Sequence, residues 1–185
     1  MTKGDELRYG APRNAVHLCV DMQQMFAGGT DWTMPWLPRV LPNVVAITSA
    51  DPERTIFTRF IPAQSPGQGA GMWRRYYERW SSMTIDTLGP EMVDLVKELA
   101  RFVPPARTLD KYVYSPWTGS ALHAQLREAG VETVVVTGGE TDVPQQELDG
   151  SQIAGSTIDQ RRLGPAKGMR PKQVRVQSDV SDPVR

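Results

Sequence analysis

The sequence predicts an α/β protein in which a mostly parallel sheet carries helices on both faces, a three-layer α/β/α arrangement. Three observations carry that prediction. Short apolar or β-branched runs bounded by turn residues recur along the chain. Helical patterns separate these runs, so that strand alternates with helix between residues 14 and 143. The chain has 185 residues, enough for one such domain and too few for two ordinary ones.

The elements follow in order. Ala15–Val20 (AVHLCV) is an apolar run ending at Asp21, a buried first strand. In the next stretch Val40, Val44, Val45 and Ile47 gather on one side. Pro35, Pro38 and Pro42 leave a helix that starts at Pro38 or Pro42 and ends at Ser49. Thr55–Phe60 (TIFTRF) is β-branched and aromatic, a second strand. Residues 61–71, rich in Pro and Gly, form a loop. Residues 71–80 make a short aromatic helix with Trp73, Tyr76, Tyr77 and Trp80 on a shared face. Residues 90–102 read as one amphipathic helix behind Pro90, with Met92, Val93, Leu95, Val96, Leu99 and Phe102 on its broad apolar face. Residues 108–112 are a third strand. Residues 121–129 are a helix, with Leu122 and Leu126 one turn apart and Gly130 just past its end. Residues 132–137 (ETVVVT) are a fourth strand, followed by Gly138-Gly139.

The ends of the chain differ from this core. Residues 1–13 read as a polar tail. All of the Trp (5), Tyr (5) and Phe (4) residues lie at or before Trp117, and residues 144–185 have few apolar side chains and no sustained period. Such a segment buries too little apolar surface to offset its ordering entropy, so a mostly disordered tail is expected, with at most a weak strand at 173–177.

Composition narrows the function classes. Lys plus Arg is 21 and Asp plus Glu is 21, a formal net charge of zero. Nucleic acid and anionic membranes are therefore not expected partners. One cysteine, Cys19, and two histidines, His17 and His123, leave no set for a Cys- or His-based metal site. No apolar run approaches the length of a membrane span, and the polar N-terminus has no apolar signal core, so the expectation is a cytoplasmic protein.

In parallel sheets, ligands bind beyond the carboxyl ends of the strands. Asp21 follows the first strand and Lys111 lies at the end of the third. A carboxylate and an ammonium meeting there could act as base and electrophilic stabiliser, or form a structural ion pair. The N–H groups of Gly138-Gly139 could cradle an oxyanion, or simply make a tight turn. Arg59 could receive a substrate carboxylate or be a solvated charge. Trp73 and Tyr77 could wall a small substrate or belong to a core or interface. Cys19 and His17 read as buried residues of the first strand, and His123 as a surface residue.

Several motifs together resemble the isochorismatase-like cysteine hydrolases, the superfamily of nicotinamidases and N-carbamoylsarcosine amidase-type enzymes. They are Val20-Asp21-Met22-Gln23, Thr55-Ile56-Phe57-Thr58-Arg59-Phe60, Asp110-Lys111 with Ser115-Pro116, Gly119-Ser120-Ala121-Leu122, and Thr137-Gly138-Gly139-Glu140-Thr141-Asp142-Val143, in family order. The resemblance implies a Rossmann-like, six-stranded, mostly parallel fold and an Asp-Lys-Cys triad. Asp21 would be the base for the thiol, and Lys111 would lower the thiol pKa and stabilise developing charge. A non-proline cis peptide would fall at Gly139–Glu140 and aim N–H groups at the oxyanion. Trp117 would sit near the pocket. The triad thiol should follow Val143, where this chain has Pro144. Thr58-Arg59-Phe60 lacks the Asp and His residues by which nicotinamidases hold a metal, so neither metal nor cofactor is expected.

The family pattern stops between Val143 and Pro144, which implies that the C-terminal strands and helices are missing through truncation or a frameshift. The fourth strand would then be an exposed apolar edge, and a homo-oligomer or association through that edge is expected. The functional expectation is a hydrolase of the C–N bond of a small amide, impaired or inactive without its nucleophile. The alternatives are a Cys-independent vinyl ether hydrolase using Asp21, and a non-catalytic remnant or binding subunit.

Overall fold

A computed structural model describes residues 11–139 of the protein. The tail expected at 144–185, the weak strand at 173–177 and most of the N-terminal tail lie outside the described residues. Four strands, β1 (Ala15–Val20), β2 (Thr55–Phe60), β3 (Arg107–Lys111) and β4 (Thr133–Gly138), form one sheet in the order β3-β2-β1-β4. Every pairing is parallel. The chain is therefore an α/β protein, and each strand lies within a residue of its expected place.

Successive side chains of a strand point to opposite faces, so β1 feeds two cores. Val16 and Leu18, with Ile56 of β2, pack under Leu122 and Leu126 of α6 (Leu122–Glu128). Cys19 and Phe57 face the other core, built from α1 (Gln24–Ala27), α2 (Leu37–Ala50), α3 (Met72–Arg79), α4 (Ile85–Leu88) and α5 (Lys97–Ala100). Two helical layers thus sandwich the sheet. α6 ends as its glycine predicts: Gly130 has φ 65°, its N–H donates to Arg127, and the Val131 N–H donates to Leu126.

Two helices differ from expectation. α2 begins at Leu37, ahead of both candidate prolines, and runs through Pro42. Pro38 fits the first turn, and the burial of Leu37 and Val44 in one core holds the helix together across Pro42. The single helix expected at 90–102 does not form. A 3-10 turn (Pro90–Val93) is followed by extended backbone, with ψ 154° at Asp94 and 144° at Val96, before the short α5. The extended stretch pairs with the segment after β1: Gln23 bridges Leu95, the Gln24 N–H donates to Asp94 and the Val96 N–H to Met22. Leu95 and Val96 are buried as the apolar pattern required. Adjacent residues meet the core because tertiary backbone bonds replace helical ones.

Among the described strands, β4 lies at one edge of the sheet and β3 at the other. Among the described residues, no helix is long and apolar enough to cross a membrane.

Candidate active site at the carboxyl ends of the strands

The parallel register brings the ends of β1, β2 and β3 to one rim, where Asp21 and Lys111 meet. Lys111 Nζ donates to Asp21 Oδ2 at 2.7 Å. Both residues are buried, at 3% exposure for Lys111 and 7% for Asp21. The ammonium also lies 5.1 Å from the centre of the Phe60 ring and 3.4 Å from the Val113 carbonyl. The other carboxylate oxygen, Oδ1, accepts the Thr58 hydroxyl hydrogen at 2.6 Å. Burial pushes the Asp21 pKa above the usual carboxylate value, while Lys111 and the Thr58 hydrogen bond pull it back. With a donor on each oxygen, Asp21 is arranged as a carboxylate, a proton acceptor facing an ammonium.

Cys19 precedes Asp21 by two residues and is fully buried. Burial pushes its thiol pKa up to about 12. A thiol held protonated is a poor nucleophile.

The glycine pair after β4 is required by close approach. Gly138 has φ 110°, and a Cβ there would collide with the Val20 backbone. The Gly139 N–H, which could have faced an oxyanion or served a turn, donates to the Val20 carbonyl at 2.7 Å and extends the pairing with β1. The cis peptide expected at Gly139–Glu140, Glu140 itself and Pro144 lie outside the described residues.

Arg59 is also placed differently from a substrate receptor. It alternates with Thr58, so it points away from Asp21. Its guanidinium is held by Asp110 in a two-point pair (2.7 and 2.8 Å) and by Asp94 (3.3 Å). Of the aromatic candidates, Trp73 and Tyr77 stack at 6.0 Å, and Trp73 lies 6.2 Å from Phe60. Phe60 joins this group of rings to Lys111. Trp117 is 43% exposed and makes no ring contact among the described residues. Tyr114 stacks on Phe60 at 6.2 Å and meets Trp73 at 5.2 Å.

Two residues missed as site residues bind the rim together. Thr58 reaches Asp21 as described. Gln23, fully buried, gives its amide hydrogens to the Phe60 (3.0 Å) and Val93 (2.7 Å) carbonyls and accepts the Phe60 N–H (2.7 Å). Gln23 and Thr58 stood inside the motifs quoted above, but nothing local in the sequence names their partners. Among the described residues, no three His, Cys, Asp or Glu side chains gather as a metal site.

Comparison with known proteins places the chain. The isochorismatase domain model matches residues 15–144. A cysteine hydrolase from Pseudomonas syringae pv. phaseolicola superposes with a TM-score of 0.52 at 21% identity, covering 76% of this chain and 66% of that one. A pyrazinamidase/nicotinamidase from Streptococcus mutans gives 0.52 at 23% identity, covering 69% and 73%. An isochorismatase from Pseudomonas putida gives 0.50 at 16% identity, covering 70% and 59%. At these identities the likeness is one of fold. The chain spans 66% of the length of the Pseudomonas syringae structure. No protein of curated function matches it.

Proposed function

We propose, for a chain that belongs to the isochorismatase family, a scaffold of small-molecule C–N hydrolysis that keeps its acid and ammonium but lacks its nucleophile. The observation that carries this reading is the buried Asp21–Lys111 pair, 2.7 Å apart at the carboxyl ends of parallel strands. In the chemistry suggested by the family, the Asp21 carboxylate takes the proton of an attacking thiol, and the Lys111 charge favours the thiolate and the developing oxyanion. Pro144 offers no thiol, hydroxyl or N–H at the nucleophile position, and the buried, protonated Cys19 cannot replace it. The substrate class is a small amide, with no metal or cofactor, and the activity is weak or absent.

Turnover of small primary amides and of isochorismate, each against an Asp21→Asn control, tests this. The expected result is amide hydrolysis no faster than in the control. Amide turnover with an acyl adduct visible in the intact-protein mass would overturn the reading. Isochorismate turnover lost in Asp21→Asn would transfer support to a Cys-independent vinyl ether hydrolase, in which Asp21 must give a proton rather than take one. The donors on both Asp21 oxygens count against that alternative.

A second reading, a non-catalytic subunit associating through a sheet edge, draws on one observation. β4 is an edge among the described strands, and Val136 on it is 46% exposed. This reading expects the protein to elute above its 20.6 kDa monomer mass and Val136→Lys to shift it towards the monomer. A monomeric wild type counts against it.

A further inference from the structure

The Asp21 backbone is left-handed, with φ 53°, a conformation that costs a non-glycine residue energy unless its surroundings enforce it. The Gln23 N–H holds the Asp21 carbonyl at 2.9 Å, and the Asp21 N–H side of the arrangement is held by one residue. The Asp21 N–H is shared between the Thr58 carbonyl and the Thr58 hydroxyl oxygen, each at 3.2 Å. The same hydroxyl sends its own hydrogen to Asp21 Oδ1 at 2.6 Å. Thr58 is fully buried in β2, opposite Val20 in the register, and its branched Cβ restricts the side-chain rotation that could break the arrangement.

We propose that Thr58 is a positioning residue that holds Asp21 unprotonated and aimed at the rim. The argument is one of hydrogen accounting. A hydroxyl has one hydrogen, and here Oδ1 accepts it. Protonating Oδ1 would take away the charged acceptor of that hydrogen. Protonating Oδ2 would displace the Lys111 ammonium. Either route breaks a buried hydrogen bond to a charged group. The charged or titratable groups facing Asp21 are Lys111 from β3 and Cys19 from its own strand. β2 supplies Thr58, and among the described residues the end of β4 brings Gly138 and Gly139. Among the described residues, Thr58 is thus the uncharged side chain that donates a hydrogen bond to the Asp21 carboxylate.

The inference rests on Asp21 as the base of the proposed function, but its test needs no turnover. The full chain is labelled with aspartate carrying 13C at Cγ, the Asp21 resonance is identified by its loss in Asp21→Asn, and its titration is followed. In Thr58→Val, which keeps the branched shape and loses the hydroxyl, the Asp21 midpoint is expected to rise by about one to two pH units. Thr58→Ser, which keeps the hydroxyl, is expected to stay within about half a unit of wild type. If Thr58→Val does not fold, Thr58→Ala carries the same comparison. An unmoved midpoint in the hydroxyl-free variant overturns the proposal even if that variant melts earlier, because stability alone would then be its role. Equal shifts in Thr58→Ser and Thr58→Val overturn it too, since the methyl group would then be responsible. The titration can succeed whether or not the chain turns over an amide, so the activity assays bear on the proposed function alone.

Discussion

Replacing Lys111 by Met removes the ammonium and keeps most of the packing volume. The structure makes the consequence large. The partner carboxylate is 2.7 Å away and 7% exposed, so solvent cannot take over the charge. Removing one member of a buried pair costs about 3–5 kcal/mol, because the other charge stays desolvated and alone. Asp21 can relieve part of this by taking up a proton. Its pKa is already raised by burial, and without Lys111 the largest opposing influence disappears. A carboxyl whose folded pKa lies above its unfolded value is bound to its proton more tightly in the folded state. Its penalty is therefore absent at low pH and grows as pH rises through the folded pKa. The stability lost by Lys111→Met relative to wild type should be larger at about pH 7.5 than at about pH 5. Urea unfolding followed by tryptophan fluorescence at both pH values measures it, and Asp21→Asn/Lys111→Met should recover more than half of the loss. A loss below about 1 kcal/mol at both pH values would refute the claim that this pair is buried and charged.

Other perturbations test separate parts of the fold. The Thr55 hydroxyl donates to the Asp51 carbonyl, so it accepts from His17 Nδ1 at 3.2 Å, which assigns Nε2 as the acceptor of the Thr137 hydroxyl at 2.6 Å. Burial lowers the His17 pKa from 6.5 to about 4, so its contribution is complete above 6.5 and lost as pH falls towards 4. That loss amounts to up to about 3 kcal/mol, and His17→Gln should flatten the dependence of the urea midpoint on pH in this window. Gly138→Ala should cost at least about 2 kcal/mol, because φ 110° and the Val20 backbone both oppose a Cβ; Gly119→Ala, with φ 71° and open space, should cost about 1 kcal/mol in the same urea assay. Arg59→Ala should lose about 1 kcal/mol or less, diminishing in high salt, since the Arg59–Asp110 pair is partly exposed. Arg59→Lys should fail to restore it, because an ammonium cannot make the two-point contact.

The strands were legible because their signal is local. Ala15–Val20 and Thr55–Phe60 declare themselves through runs of apolar and β-branched residues, and alternation with helices leaves parallel pairing as the natural solution. Asp21 and Lys111 could be singled out for the same reason: each ends a strand, and strand ends of a parallel sheet share a rim. The helix expected at 90–102 was not legible. Its apolar spacing fits a helix, yet Leu95 and Val96 bury equally well from extended backbone that pairs with Gln23 and Met22. Arg59, a plausible carboxylate receptor in sequence, is committed to Asp110 across the sheet, 51 positions away.

The amino-acid sequence by itself determined the α/β class, the places of the four described strands, the glycine stop after α6, and the acid and ammonium at the strand ends. Each follows from neighbouring residues, through periodicity, backbone freedom or position at an element's end. Tertiary structure alone decided that the carboxylate has a donor on each oxygen, that Gln23 ties Phe60 to Val93, and that the Gly139 N–H serves the sheet. A buried polar group must find its partner wherever the fold brings one. Thr58 and Asp21 are 37 positions apart, and no local pattern records such a meeting.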